Sequence, residues 1–150
     1  MTSSIVVGLD IGTTSSKAVA WSASRPGRPY AEQSTPWQTD ACGQTEIHPN
    51  RLVSLAADLI GSAVRAAESS WGPVRVRGIG VTGLAESGVL LDAVGRPAAP
   101  VIAWFDHRGG HEIEQLAREA PGFAAAFERT TAGPWCTRRR RRIQIGRAHV

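Results

Sequence analysis

The chain has 150 residues, 42% of them hydrophobic and 20% charged, with a formal net charge of +4. That length suits one domain of ordinary size and argues against a complete two-domain enzyme, and the composition excludes disorder along the whole chain. The charge sits at one end: the five arginines at 138–142 and Arg147 supply six positive charges with no acid after Glu128, which leaves residues 1–137 at −2.

A basic footprint on a folded surface spreads over one face, so no nucleic-acid partner is expected, and residues 138–150 read as a solvated or artefactual basic tail. The closing residues 145–150 resemble a translated sequencing adapter, which puts the tail outside the fold and points to a coding sequence cut short before it. Lys17 is the lone lysine among 17 basic residues, a mark of GC-rich codon usage. Cys42 and Cys136 lie 94 residues apart with no metal-ligand spacing, so two free thiols are expected. With no signal peptide and no apolar run of the ~18 residues that span a membrane, the expectation is a cytoplasmic protein without a membrane partner.

Residues 5–11 are short, β-branched and almost continuously apolar, as a buried strand is. Gly12-Thr13-Thr14 breaks this run and residues 16–21 resume it, which predicts a hairpin; residues 30–38 add a weaker third strand. After a loop at 39–48, Leu52, Leu55, Ala56, Leu59, Ile60, Ala63, Val64 and Ala67 follow helical spacing, with Pro49 in the first turn. Strands are predicted at 76–82, 88–92 and 100–104, with a turn at Asp92-Ala93-Val94-Gly95. A short helix over 111–120 stops at Pro121-Gly122. Hairpin, crossover helix and further strands make a mixed α/β sheet, and nothing requires a boundary before 130–134.

Chemistry concentrates in Asp10-Ile11-Gly12-Thr13-Thr14-Ser15-Ser16-Lys17, where a carboxylate ends a strand and a glycine and four hydroxyls follow. Gly12 admits an anion close to backbone N–H groups, the hydroxyls add donors, and Asp10 supplies the hard oxygen that Mg²⁺ accepts. The spacing is not that of a Walker loop, and a strand rather than a helix follows. The alternative is a plain hairpin turn in which Gly12 takes a positive φ and Asp10 accepts turn hydrogen bonds.

Gly8-Leu9-Asp10-Ile11-Gly12-Thr13-Thr14-Ser15-Ser16-Lys17 resembles the first phosphate motif of the actin and hexokinase superfamily. Three later stretches resemble the FGGY carbohydrate kinases in particular: Gly43-Gln44-Thr45-Glu46-Ile47-His48-Pro49, Gly78-Ile79-Gly80-Val81-Thr82-Gly83, and Leu91-Asp92-Ala93-Val94-Gly95-Arg96-Pro97 on to Trp104-Phe105-Asp106-His107-Arg108. The resemblance implies an incomplete ribonuclease H-like (actin-like ATPase) mixed sheet with flanking helices over residues 1–137, the N-terminal part of the family's first domain. It implies transfer of the ATP γ-phosphate to a sugar or polyol with Mg²⁺ as cofactor, and a homo-oligomer as a possible state of the full-length protein.

By the same resemblance Asp10 would sit at the metal, Gly12, Thr13 and Thr14 at the phosphates, and Glu86, Trp104 and Asp106 at the substrate. Carboxylates accept hydroxyl hydrogen bonds and an indole covers a sugar's C–H face. Glycerol kinases carry Arg where this chain has Ala85, so Leu84-Ala85 makes the substrate wall more apolar. The family's general base and adenosine pocket lie downstream, so these residues alone are expected to be inactive, aggregation-prone and of low stability. Two alternatives remain open: a non-catalytic sugar- or nucleotide-binding module or pseudokinase, and an activator ATPase of the acyl-CoA dehydratase type.

Overall fold

Alternating burial organises the N-terminal strand β1 (Ser3–Ile11): Ile5, Val7 and Leu9 are buried on one face while Val6 and Gly8 stay exposed on the other. This is the computed structural model of the chain, and it describes residues 2–84, 86–120 and 122–131. The described residues fall into two compact units that divide between Asp106 and His107. The division lies inside a stretch that carries no linker signal in the sequence. The expected tail at 138–150 and Cys136 lie outside the described residues.

In the first unit, β1 pairs antiparallel with β2 (Ser15–Trp21), which pairs antiparallel with β3 (Tyr30–Ser34). Two further strands follow: β4 (Gln38–Thr39) straddles the end of the predicted third strand and the predicted loop, and β5 (Thr45–Ile47) falls within that loop. The helix α1 (Pro49–Trp71) then crosses over to β6 (Val74–Gly83), which lies parallel to β1, giving the sheet order β3-β2-β1-β6. A second sheet, β4-β5-β7, is closed by β7 (Val101–Ile102), antiparallel to β5.

The core lies between the first sheet and α1. Leu55, Leu59, Ala63 and Ala67 form an i, i+4 stripe against Ile5, Val7, Leu9, Ala18 and Ala20. The alanines on both surfaces let helix and sheet approach closely. His48 caps α1, its Nδ1 accepting from Asn50 N at 3.2 Å, and Pro49 occupies the first turn, where a missing N–H costs nothing. Gly72 ends the helix at φ +77°. Cys42 is an exposed free thiol.

The strand predicted at 88–92 is absent as such: Leu91 makes one isolated bridge to Pro97, closing a small loop around the Asp92 turn. Asp92 Oδ1 accepts from Val94 N (3.0 Å) and Arg96 N (2.8 Å), and Gly95 supplies the φ of +79°. The Arg96 N–H, with the Arg96 side chain and Val94 N–H, holds the Asp92 carboxyl below its ordinary range. The loop's local hydrogen bonds stand in for the longer ladder that the apolar pattern suggests.

The second unit contains α2 (Gly110–Glu119), close to its predicted bounds, and an unpredicted α3 (Phe123–Thr131). The Phe123 and Phe127 rings stack within α3, 6.4 Å apart. No helix among the described residues is long and apolar enough to cross a membrane.

Strand β6 pairs on one edge among the described residues, and its Ile79 and Val81 are 50% and 70% exposed. An open apolar strand edge is a template for pairing with another chain. The 150-residue chain is therefore expected to self-associate, and Ile79→Thr with Val81→Thr to reduce that association. A sharp, monomeric melting transition of the parent chain in light scattering and calorimetry would contradict this.

Candidate functional site

The hairpin turn between β1 and β2 spans Gly12, Thr13 and Thr14, with Asp10 one rung inside it, paired in register with Lys17 on β2 and Thr82 on β6. The turn's carbonyls are all engaged by the segment that follows β3. Thr35 Oγ1 donates to Gly12 O (2.6 Å), Trp37 Nε1 donates to Thr13 O (2.8 Å), and Thr35 N donates to Thr14 O (3.0 Å). Because the Thr35 hydroxyl hydrogen is spent on Gly12, the buried Ser16 hydroxyl donates to Thr35 Oγ1, at 2.8 Å.

The amide side of the same turn is unspent. Among the described residues, no acceptor takes the backbone N–H of Gly12, Thr13 or Thr14. A turn whose carbonyls are occupied and whose successive N–H groups are open has donors left to give to an anion.

Gly12 is required here by space rather than by φ. The glycines at positive φ are Gly27, Gly43, Gly72 and Gly95, so the positive φ of the plain-turn alternative does not occur at Gly12. A Cβ at Gly12 would instead lie 2.4 Å from the Ser15 carbonyl oxygen and 3.9 Å from Asp10 Oδ2. The turn thus closes tightly on the Ser15 carbonyl, with the Asp10 carboxylate nearby.

Asp10 is half-buried, and its carboxylate has no hydrogen-bond or ion-pair partner among the described residues. Lys17, its cross-strand neighbour, reaches Glu32 instead, Nζ to Oε1 at 3.8 Å on an exposed surface. No group of three or more His, Cys, Asp or Glu that could cage a metal occurs among the described residues. One open carboxylate beside a turn with open amides is nonetheless a donor set that Mg²⁺ can use when phosphate oxygens and waters complete its shell. The residues fit both a phosphate and that ion.

Trp104 meets this turn directly, its Nε1 donating to Thr13 Oγ1 at 3.1 Å. Phe105 packs edge-on against both Trp104 and Trp37, with centroids 5.6 and 6.0 Å away. Asp106 Oδ2 accepts the Thr45 backbone N–H, while Thr45 O accepts from Ala103 N at 3.0 Å. The residues that follow β7 are thereby fastened to β5.

The end of β6 is fastened to β1 by Leu84 N donating to Ile11 O at 3.1 Å, which brings residues 82–84 beside Asp10 and Ile11. A largely apolar cavity of about 330 Å³ opens there, lined by Ile11, Thr82, Leu84, Ser87 and Val89 among others. The Ser87 hydroxyl is buried without a partner among the described residues. Glu86 is exposed, with no contact to the turn among the described residues, and its neighbour Ala85 lies outside them.

The structure therefore joins Asp10, Gly12, Thr13, Thr14 and Trp104 directly, ties Asp106 to β5, and leaves Glu86 at a strand end. Thr35 and Trp37 are additions that the sequence reading misses. The available signal is a lone tryptophan in the polar run Gln33-Ser34-Thr35-Pro36-Trp37-Gln38-Thr39, with no apolar pattern to bury it.

A family model for the N-terminal domain of the FGGY family of carbohydrate kinases matches residues 5–137. The chain is similar to a glycerol kinase of Rhodospirillum centenum, 30% identical over 115 residues that make up 76% of this chain and 23% of the relative. It is similar to a xylulose kinase of Haemophilus influenzae, 28% identical over 82% of this chain and 26% of the relative.

Among solved structures, xylulose kinase from Rhodospirillum rubrum superposes with a TM-score of 0.67 at 32% identity, over 83% of this chain and 25% of that one. Plasmodium falciparum glycerol kinase with ADP gives 0.76 at 16% identity, over 91% of this chain and 27% of that one, a likeness of fold alone. The chain spans about a quarter of the length of these relatives. The expected actin-like ATPase fold, present in part as a mixed sheet with flanking helices, is the fold found.

Proposed function

The chain belongs to the FGGY family of carbohydrate kinases, and from that premise we propose that it is the N-terminal part of an ATP-dependent kinase acting on a sugar or polyol hydroxyl. The observation that carries this reading is the Gly12-Thr13-Thr14 turn, with its carbonyls engaged, its N–H groups open and the unpartnered Asp10 carboxylate beside it. Phosphoryl transfer asks a protein mainly for positioning and charge neutralisation. The turn amides and the Thr13 and Thr14 hydroxyls are hydrogen-bond donors to the β- and γ-phosphates of ATP, and Asp10 holds Mg²⁺. When bound, Mg²⁺ supplies charge neutralisation on the phosphate oxygens.

The substrate lies beside this turn, toward the end of β6 and the residues after β7. Glu86 accepts hydrogen bonds from substrate hydroxyls, Trp104 covers a C–H face, and Asp106, tied to Thr45, sets the direction of that wall. The apolar cavity beside Leu84 supports a substrate wall poorer in polar contacts than one carrying Arg at position 85.

None of residues 1–137 is assigned as general base, the loss of which costs about 10²–10⁴-fold in rate. A coupled ADP-release assay with glycerol, xylulose and gluconate tests the reading. Substrate-dependent turnover is expected from the full-length gene product and none from the 150-residue chain. No turnover from the full-length product with any sugar or polyol, or turnover by the 150-residue chain alone, would overturn it.

A further inference from the structure

The turn's geometry is held from outside by an aromatic bracket: Trp37, Phe105 and Trp104 in edge-to-face sequence, with both indole N–H groups ending on Thr13. One takes its carbonyl and the other its hydroxyl. A threonine hydroxyl has one hydrogen to donate and two lone pairs to accept with. Since Trp104 Nε1 is a donor only, it occupies a lone pair of Thr13 Oγ1 and leaves the Thr13 hydrogen for another acceptor. No acceptor among the described residues takes that hydrogen.

The Thr13 carbonyl shows the same logic on the backbone. Trp37 holds it toward the protein, at 2.8 Å, which turns the adjoining peptide so that its N–H faces away. That peptide joins Thr13 to Thr14, so the N–H it turns away is that of Thr14. Trp37 thus fixes the peptide, while Trp104 leaves the Thr13 hydroxyl hydrogen to be given elsewhere.

We propose that Trp37 and Trp104 are positioning residues for phosphate binding, acting through Thr13: Trp37 orients its peptide and Trp104 orients its hydroxyl, so that both present hydrogen to the anion. This rests on the proposed reading of the turn as the nucleotide phosphate site. It adds a consequence: the aromatic wall assigned to the sugar also sets the donor geometry on the phosphate side.

The test is a double-mutant cycle on the full-length gene product, with MgATP as probe and calorimetric titration as the readout. Trp104→Phe keeps the ring against Phe105 and removes the N–H; Trp37→Phe does the same at the carbonyl. Each is expected to weaken MgATP binding about three- to tenfold, the range of a hydrogen bond's ordinary net contribution. In a Thr13→Val background, Trp104→Phe is expected to have no further effect, and in Thr13→Ser, which keeps the hydroxyl, its effect returns.

The Trp104 indole N–H resonance is expected to move upfield in Thr13→Val and not in Thr13→Ser, in the absence of any ligand. A parent protein that binds MgATP while Trp104→Phe and Thr13→Val combine multiplicatively overturns the positioning role and leaves the functional reading intact. A parent protein that fails to bind MgATP overturns both. Variants that lose the fold show it in the other indole resonances, and Trp37→Phe then carries the affinity comparison.

Discussion

In the full-length protein, Gly12→Ala is expected to destabilise the fold by about 1–3 kcal/mol and to abolish measurable MgATP binding, whereas Gly8→Ala, four residues earlier on β1, does neither. The difference lies in what a methyl group meets. At Gly12 the new Cβ lies 2.4 Å from the Ser15 carbonyl oxygen, a backbone atom that can retreat only if the hairpin opens. Opening pulls Gly12 O from Thr35 Oγ1 and Thr13 O from Trp37, so the bonds that turn the amides outward are lost together. At Gly8 nothing lies within 4 Å, and replacing glycine in a strand reduces the freedom of the unfolded chain. Thermal denaturation of the two variants side by side gives the first number, and MgATP titration gives the second.

Asp10→Asn separates binding from stability in the opposite way. The carboxylate has no partner among the described residues, so amidation removes no native contact and is expected to shift stability by less than about 0.5 kcal/mol. The loss falls on the ion and the phosphates. An interaction with a charged group contributes about 1.5–3 kcal/mol, so MgATP affinity in the full-length protein is expected to drop about ten- to a hundredfold. Parental affinity and unchanged Mg²⁺ dependence in the Asp10→Asn variant would remove Asp10 from the metal site.

The parts of the fold legible in the sequence are those whose signal is local. Ile5, Val7 and Leu9 announce a strand, and Leu55, Leu59, Ala63 and Ala67 announce the helix face that covers it, because one face of each is buried at a fixed period. The strands β4 and β5 carry no such signal. Gln38-Thr39 and Thr45-Glu46-Ile47 are short and mostly polar, and β5 is completed by Val101 and Ile102, far along the chain. The opposite error occurs at residues 88–92, where apolar residues suggest a strand but Val89, Leu90 and Leu91 are exposed.

The site divides in the same way. Asp10, Gly12, Thr13 and Thr14 stand out because a carboxylate, a glycine and hydroxyls in succession are a local pattern. The reason position 12 must be glycine is not legible, since contact with the Ser15 carbonyl depends on how the hairpin closes. Thr35 and Trp37 are equally hidden, because a side chain that serves the backbone of a distant turn leaves no trace in spacing. Trp104 is legible as a candidate sugar contact through resemblance, but its bond to Thr13 is not.

In the proposed function the open amides of Gly12, Thr13 and Thr14 receive phosphate. Amide hydrogen exchange of the full-length gene product, with and without MgATP, tests it at those atoms. The prediction is that MgATP slows exchange at all three residues, and that in Asp10→Asn the same protection needs about ten- to a hundredfold more MgATP. MgATP bound elsewhere, with exchange at these three amides unchanged, would contradict the claim.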